Sequence, residues 1–359
     1  MEPSTPLTMH QPAVPLAAPC LWRDTSGSAS RGYDLCLSVV IPTYRRPVLL
    51  GRCLSALCRQ TMDPSRYEII VVDNAPSEDA RETVAFLANA GAPHATPSIR
   101  YIAAGERRGP AAARNRGWRA AEADLIAFTD DDCVPLSGWL EEGWNSFRMP
   151  GVSGAWGQII VPVSPRPTDH ELNTKGLEAA PCATANCFYA KSALAAVGGF
   201  DERFTAAWRE DSDLEFTLRE RGFRIIPCSR ASVVHPARQA PWGISLGQQR
   251  NDLFNALLYK KHPAYYRALL PVRAPWHYYA SVVALLIMIV AAGAQAWFWA
   301  LMIFLIWSGL ALRFCLLRLR HTARAMAHVL EMGITSALIP PLALFWRLRG
   351  AIRYRVLWW

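Results

Sequence analysis

Three consecutive carboxylates, Asp130, Asp131 and Asp132, end an apolar run that begins at Leu125. A short apolar run of this kind is typical of a buried strand, so the three acids stand together at its carboxyl end. Several negative charges at one point are costly unless a cation neutralises them, and carboxylate oxygens are good ligands for divalent cations. The sequence therefore predicts a divalent metal site at the end of this strand.

The part of the chain that leads to these acids alternates between strand-like and helix-like segments. The pattern predicts a strand first and then helix and strand in turn, over residues 35–41, 47–61, 67–73, 77–90, 99–103, 110–121 and 125–128. Such alternation indicates an α/β fold with a mostly parallel sheet and right-handed crossovers. Ligands bind at the carboxyl ends of the strands in such sheets. The metal site is therefore expected at the ligand-binding edge.

The residues at the other carboxyl ends are those that a nucleoside diphosphate needs. We expect Tyr44 to stack on a base and Asp73 to accept a hydrogen bond from a base N–H group. Arginines bind phosphate well, and a divalent ion would bridge the two phosphates. The candidate nucleotide-binding residues at these strand ends are Pro42, Tyr44, Arg45, Asp73, Arg107, Gly109, Asp130 and Asp131.

The helix that follows Gly109 adds two further candidates. It has neither the Lys-Ser/Thr pair of a P-loop nor the GxGxxG sequence of a dinucleotide site. Its alanines instead predict that the helix lies close to the sheet, with Arg114 and Asn115 pointing toward the ligand.

These motifs, in this order, resemble the nucleotide-sugar-binding half of the inverting family 2 glycosyltransferases. They are Ser38 to Arg46, Val71 to Asn74, Gly109 to Gly117 and Thr129 to Asp132. The resemblance implies a GT-A fold, which is Rossmann-like with a mixed, mostly parallel sheet, and it covers residues 35–236. It also implies that Asp132 binds Mn²⁺ or Mg²⁺ and that Asp130 faces the ribose or sugar. The role of Asp131 stays open, since three acids in a row allow either register.

A second pair of acids, Glu210 and Asp211, precedes an amphipathic helix. The helix dipole holds a carboxylate at this position ionised, which suits a group that must accept a proton. The family has its catalytic base in such a pair, and Asp211 matches it. The alternatives are Asp213 as the base, or two acids that only cap the helix. His235 is either a metal ligand or a structural histidine.

The last hundred residues have a different composition. Residues 260–359 contain twelve Lys or Arg and one acid, Glu331, so this part has a net charge of +11, while the rest has −2. This charge distribution favours an anionic membrane surface over nucleic acid. The uncharged segment 278–312 predicts a hairpin of two short membrane helices, with flanking arginines in the cytoplasm. Residues 325–346 predict an interfacial or re-entrant helix.

The expected organisation is a disordered leader (1–34), a GT-A domain (35–260) with nucleotide-binding (35–135) and acceptor (136–260) halves, and a basic membrane-attachment region (261–359). The nine cysteines lack metal-ligand spacing and indicate a reducing compartment.

The predicted function is transfer of a sugar from a nucleotide diphosphate sugar, with UDP-sugar first, to a cell-envelope, polysaccharide or lipid-linked acceptor at the cytoplasmic face of the inner membrane. The alternatives are a polyprenyl-phosphate glycosyltransferase and a non-catalytic nucleotide-sugar-binding membrane subunit.

Overall fold

The computed structural model of the protein describes residues 35–89, 96–105, 109–270 and 275–357. The predicted leader, 1–34, lies outside the described residues. Within them, eight strands form one sheet, and their bounds are β1 Leu37–Thr43, β2 Tyr67–Asp73, β3 Ser98–Ala103, β4 Leu125–Phe128, β5 Val134–Pro135, β6 Val152–Ile160, β7 Cys187–Ala190 and β8 Arg224–Val234.

The strand order across the sheet is β3-β2-β1-β4-β7-β6-β8-β5. Strand β1 pairs in parallel with β2 and β4, β2 pairs in parallel with β3, and β6 pairs in parallel with β8. The pairings of β7 with β4 and β6, and of β5 with β8, are antiparallel. The predicted α/β class with a mixed, mostly parallel sheet is therefore confirmed.

Helices alternate with the strands and pack against the sheet. Their bounds up to the end of the α/β part are α1 Pro47–Leu57, α2 Glu78–Asn89, α3 Pro110–Ala120, α4 Trp139–Ser146, α5 Asp169–Lys175, α6 Lys191–Val197, α7 Glu210–Glu220, α8 Ile244–Gln248, α9 Asp252–Lys261 and α10 Pro263–Leu269. Helix α3 lies very close to the sheet, because a Cβ atom at Gly117 would lie 2.3 Å from Val40 Cγ1. The close packing expected from the small residues of α3 is thus observed.

Three apolar helices follow: α11 Trp276–Gly293, α12 Trp297–Leu319 and α13 Met326–Tyr354. All three are long and apolar enough to cross a membrane. The turn between α11 and α12 falls at residues 294–296, inside the predicted hairpin segment 278–312. Helix α12 continues past Arg313 to Leu319, so the hairpin is longer than the predicted segment 278–312.

Helix α13 packs on the α/β part with one face. Glu331, near its start, accepts a hydrogen bond from Gly243 N, and the Tyr354 carbonyl, at its end, accepts one from Lys260 Nζ. The buried face consists of His328, Met332, Thr335, Ser336, Ile339, Pro340, Ala343, Arg347 and Gly350. The large exposed apolar side chains of α13 are Met326, Leu330, Ile334, Leu338, Phe345, Leu348 and Ile352.

Helix α13 is longer than the predicted helix over 325–346, because it continues to Tyr354. The helix does not break at Pro340 and Pro341, which lie inside it. Proline is tolerated in helices of this kind where neighbouring groups satisfy the freed backbone.

Candidate active site

The three acids after β4 have different environments, which the sequence does not reveal. Asp131 is buried, and its carboxylate accepts hydrogen bonds from Thr43 Oγ1 at 2.8 Å and Arg46 Nη1 at 3.1 Å. Burial raises the pKa of Asp131. Because Thr43 ends β1, Asp131 joins the carboxyl ends of two neighbouring strands. The geometry gives this acid a structural task.

Asp130 is linked to the second pair of acids through a buried arginine. Arg114 Nη2 donates to Asp130 Oδ1 at 2.7 Å, and Arg114 Nη1 donates to Glu210 Oε1 at 2.9 Å. Although burial opposes the shift, Arg114 holds the pKa of Asp130 below its ordinary value. The guanidinium thus fixes the start of α7 against the end of β4, and the two acid clusters form one site.

Asp132 is the member of the triple acid whose surroundings fit a metal. Its carboxylate, the Cys133 thiol and a ring nitrogen of His235 have ligand atoms within 4.8 Å of one another. His235 Nε2 lies 3.6 Å from Asp132 Oδ1, and His235 Nδ1 is buried without a hydrogen-bond partner. Burial raises the pKa of Cys133 well above its ordinary range, so the thiol stays protonated and is a poor ligand. A carboxylate and an imidazole fit Mn²⁺, which accepts both oxygen and nitrogen ligands.

Asp211 lies in the first turn of α7 and is partly exposed. Its Oδ1 accepts a hydrogen bond from Ser212 N at 2.6 Å. Burial raises the pKa of Asp211, and burial together with the neighbouring Asp211 charge raises the pKa of Glu210 to about 7. A carboxylate with a raised pKa is a better proton acceptor near neutral pH. The arrangement therefore suits Asp211 as a general base.

Asp213 does not share this environment. It is buried, and Lys261 Nζ and His262 Nε2 lie 2.7 and 3.2 Å from its Oδ1. Both neighbours belong to the region at the end of α9, so the carboxylate joins α7 to that helix. This structural use speaks against the alternative that Asp213 is the base.

Three predicted nucleotide-binding residues make contacts within the protein. The amide of Asn115 is buried and fully used, because it bonds to Phe200 N and O, to the Glu202 carboxylate and to Trp118 Nε1. It therefore does not point toward a ligand as expected. Asp73 is also fully buried, and it accepts hydrogen bonds from Ala75 N, Ser77 N and the Tyr101 hydroxyl.

Pro42 is the third, since it is buried inside β1 opposite Val72 and is not at the open edge. Arg114 differs from the expectation in a similar way. Its side chain is 2 % exposed and lies between two carboxylates, so its charge is already neutralised.

The remaining candidates lie at the predicted edge. Tyr44 is 47 % exposed, and the Arg45 guanidinium lies 5.4 Å from the centre of its ring. Gly109 has a φ of +117°, and a Cβ atom there would lie 3.1 Å from the Thr205 carbonyl oxygen. The glycine thus lets the loop before α3 approach the loop before α7. Arg107 lies outside the described residues.

Sequence reasoning missed the cationic partners of the acids. Arg46 contacts Asp131, and Arg238 Nε lies 2.9 Å from Asp132 Oδ2. Glu210 was seen only as a neighbour of Asp211, although it shares Arg114 with Asp130. Arg46 lies three residues after the end of β1, so its position was a usable signal. Arg238 lies more than a hundred residues after Asp132, and no local pattern points to it.

Residues 38–193 match the family model "Glycosyl transferase family 2". Among curated proteins, the chain is 32 % identical over 123 residues to "Glycosyltransferase AglE" of Haloferax volcanii, which is 34 % of this chain and 39 % of that protein. It is 33 % identical over 143 residues to "GalNAc(5)-diNAcBac-PP-undecaprenol beta-1,3-glucosyltransferase" of Campylobacter jejuni, which is 40 % of this chain and 43 % of that protein. The chain therefore matches less than half of the length of either relative.

A similar solved structure is the mannosyltransferase PcManGT from Pyrobaculum calidifontis, in complex with GDP-Man and Mn²⁺. The alignment covers 88 % of both chains with a TM-score of 0.52 and 18 % identity. This similarity extends over most of the chain and confirms the GT-A class of fold.

Proposed function

Residues 38–193 are a glycosyl transferase family 2 domain, and from this premise we propose a metal-dependent, inverting glycosyltransferase. It transfers a sugar from a nucleotide diphosphate sugar to a saccharide or lipid-linked acceptor of the cell envelope. The first candidate donor is a UDP-sugar. The observation that carries the proposal is the bridge from Asp130 through Arg114 to Glu210. This bridge joins a metal-type acid cluster to a carboxylate suited to proton transfer.

The proposed reaction is a single displacement. Asp211 accepts the proton of an acceptor hydroxyl as its oxygen attacks the anomeric carbon. The new carbon–oxygen bond forms while the bond to the diphosphate oxygen breaks, and its electron pair leaves with the diphosphate. Because the attack comes from the side opposite the leaving group, the configuration inverts. Glu210 stays bound to Arg114 and holds Asp211 in position.

Asp132 and His235 are the residues that would hold the metal, which is Mn²⁺ or Mg²⁺. When bound, such an ion supplies positive charge to the departing diphosphate. Tyr44 and Arg45 at the exposed edge are the proposed contacts for the base and the phosphates. Asp130 keeps one carboxylate oxygen free of Arg114, and this oxygen is the proposed contact for the ribose or sugar.

We propose that α11 and α12 cross the inner membrane as a hairpin and that α13 lies in the interface. Helix α13 touches the α/β part near both of its ends, which lie roughly 35 Å apart at 1.5 Å per residue. A helix that lies along a folded domain does not cross the bilayer at the same time. Its other face carries exposed Leu, Ile and Phe side chains that fit an acyl boundary.

The charge distribution supports a cytoplasmic catalytic domain. Arg313 and Arg318 lie in the last two turns of α12, Arg320 and Arg324 follow it, and arginines near the ends of membrane helices favour the cytoplasmic side. Arg318 also binds Asp169 at 2.7 Å, which joins α12 to the catalytic part. We therefore propose residues 35–260 as the catalytic domain and 261–359 as the membrane-attachment region.

A lipid-linked acceptor, with polyprenyl phosphate as one form, is the second candidate. The observation that favours it is the packing of α13 against α8 and α9, which belong to the proposed acceptor half. The name of the Campylobacter relative also describes a lipid-linked acceptor for that protein. An acceptor held in the membrane would reach Asp211 from the side of α13.

The test is donor turnover in membranes with Mn²⁺ across a panel of UDP-, GDP- and dTDP-sugars. Replacing Asp211 with Asn is expected to reduce turnover by about 10²- to 10⁴-fold, since a general base contributes that much. Asp124→Asn is the matched control, because Asp124 is an exposed acid beside β4. If Asp211→Asn transfers sugar at the wild-type rate, the assignment of the base is wrong. If wild type binds these donors but turns none over, the protein is a non-catalytic binding subunit.

A further inference from the structure

Asp132 has a cationic partner that differs from those of its neighbours. The Asp132 side chain is only 4 % exposed, and Arg238 Nε lies 2.9 Å from its Oδ2. Arg114, the partner of Asp130, is fixed between two carboxylates and is 2 % exposed. Arg238 is 46 % exposed, and Asp132 is its ion-pair partner among the described residues. If the Arg238 guanidinium moves away from Asp132, no other buried carboxylate loses its cationic partner.

The backbone that carries Arg238 is anchored at both ends. His235 N donates to the Ile160 carbonyl oxygen at 2.8 Å, which holds the loop to β6. Gly243 N donates to Glu331 Oε1 of α13 at 2.8 Å. Glu331 is the only acid between residues 260 and 359, and it is used for this contact. A change in the position of the guanidinium is therefore a movement of the side chain and needs no movement of the loop.

A guanidinium and a divalent ion compete for the same carboxylate. Two positive charges a few ångströms apart repel each other, and this repulsion is strong where water is excluded. Without a metal, Arg238 neutralises a carboxylate that would otherwise be buried and unpaired, which is a costly state. A metal held by Asp132 and His235 would displace the Arg238 guanidinium from the Asp132 carboxylate. A diphosphate beside the metal offers it a new partner, because guanidinium groups bind phosphate oxygens in pairs.

We propose that Arg238 is an exchangeable counter-ion of the metal site. It holds Asp132 before the metal binds, and it moves to the diphosphate of the donor once metal and donor are bound together. The second half of this inference rests on the proposed function, since it requires a nucleotide diphosphate. The first half, competition between Arg238 and the metal, does not.

The experiment uses the full chain in detergent or lipid nanodiscs. Binding of Mn²⁺ alone is measured from the signal of free Mn²⁺ by electron paramagnetic resonance. The binding of UDP, GDP and dTDP is then measured at saturating Mn²⁺. The variants are Arg238→Gln and Arg238→Lys, and the matched control is Arg230→Gln, an exposed arginine in β8. Thermal unfolding without ligands checks that each variant is folded.

Arg238→Gln is expected to bind Mn²⁺ about three- to ten-fold more tightly than wild type, because the guanidinium charge no longer competes with the ion for the Asp132 carboxylate. At saturating Mn²⁺ it is expected to bind the preferred nucleoside diphosphate about three- to ten-fold more weakly. Arg238→Lys keeps the charge, so its Mn²⁺ affinity stays closer to that of wild type. The control Arg230→Gln matches wild type in both measurements.

Unchanged or weaker Mn²⁺ binding by Arg238→Gln overturns the competition. Unchanged nucleotide binding by this variant, with a wild type that binds, overturns the transfer to the diphosphate. If wild type itself binds none of the three nucleotides, the proposed function fails, and the measurement with Mn²⁺ alone still decides the competition. The outcomes therefore separate the two proposals.

Discussion

The two acid clusters of the site differ in how many cationic partners their carboxylates have. After β4, each of the three acids has a cationic partner: Asp130 has Arg114, Asp131 has Arg46 and Asp132 has Arg238. At the start of α7, Glu210 shares Arg114 with Asp130, and Asp211 has no ion-pair partner within 4.0 Å in the described parts of the chain. The first cluster is neutralised by cations. The second cluster has two acids and only one cationic partner, which it shares with Asp130.

This difference determines which chemistry each cluster supports. Arg114 holds the pKa of Asp130 below its ordinary value despite burial, so this carboxylate stays charged beside Asp132. Burial raises the pKa of Asp211, so this carboxylate takes up a proton more readily. One cluster is thus suited to a metal and the other to proton transfer. Arg114 joins them without making them alike.

Replacing Arg114 with Leu should have the largest effect on stability. The change leaves the carboxylates of Asp130 and Glu210 without their shared cation inside the protein. Breaking a buried pair in this way typically costs about 3–5 kcal/mol. The measurement is the midpoint of thermal unfolding in detergent.

Arg119→Leu is the control for this variant, because Arg119 lies on the same helix with a side chain that is 52 % exposed. An equal, small shift for both variants would contradict the bridging role of Arg114. It would also mean that Arg114 does not couple the two acid clusters.

Asp131→Asn should have a smaller effect, and on stability alone. The variant replaces charge-assisted bonds from Thr43 and Arg46 by neutral ones, which costs about 1 kcal/mol per bond. Because the Asp131 carboxylate faces Thr43 and is paired with Arg46, Mn²⁺ affinity should fall by less than the roughly tenfold expected when a metal ligand is removed. Calorimetric unfolding and Mn²⁺ titration test the two statements separately. A large loss of Mn²⁺ affinity would make Asp131 a metal ligand.

The pH dependence of stability should reveal the second cluster. The pKa of Glu210 is about 7 in the folded protein, compared with an ordinary value of 4.5. The folded state therefore binds this proton more tightly than the unfolded chain does. The stability that the proton contributes is complete below about pH 4.5 and is lost as the pH rises to about 7.

The measurement compares wild type with Glu210→Gln, which has no proton to lose at this position. The unfolding temperature of wild type should decline more steeply between these pH values than that of the variant. Parallel curves would mean that Glu210 titrates at its ordinary value.

The sequence was sufficient for the parts of the site that depend on local pattern. Apolar runs and turn residues predicted β1 to β4 and the helices between them, because these elements are regular and buried. The acids at the end of β4 and at the start of α7 were found for the same reason. The antiparallel strand β7, Cys187–Ala190, was not predicted, since four apolar residues fit several structures equally well.

The partners of the side chains could not be predicted from the sequence. Asp73 is predicted to accept a hydrogen bond from a base, and the sequence did not reveal that its carboxylate also accepts hydrogen bonds from the loop that follows it and from Tyr101, 28 residues away. Asn115 is likewise used by residues from 200 to 202 and by Trp118. Whether a polar group faces a ligand or the protein depends on contacts between distant segments, and a single sequence does not contain that information.

The most direct test of the division between the clusters measures two properties of two variants in the same preparation. Asp132→Asn and Asp211→Asn are purified in nanodiscs, and Mn²⁺ affinity and donor turnover are determined for both. Asp132→Asn is expected to lose at least about tenfold in Mn²⁺ affinity, since one charged ligand is removed. Asp211→Asn is expected to bind Mn²⁺ as wild type does while turnover falls by about 10²- to 10⁴-fold. If Asp211→Asn loses as much Mn²⁺ affinity as Asp132→Asn, or retains wild-type turnover, the two clusters do not have separate tasks.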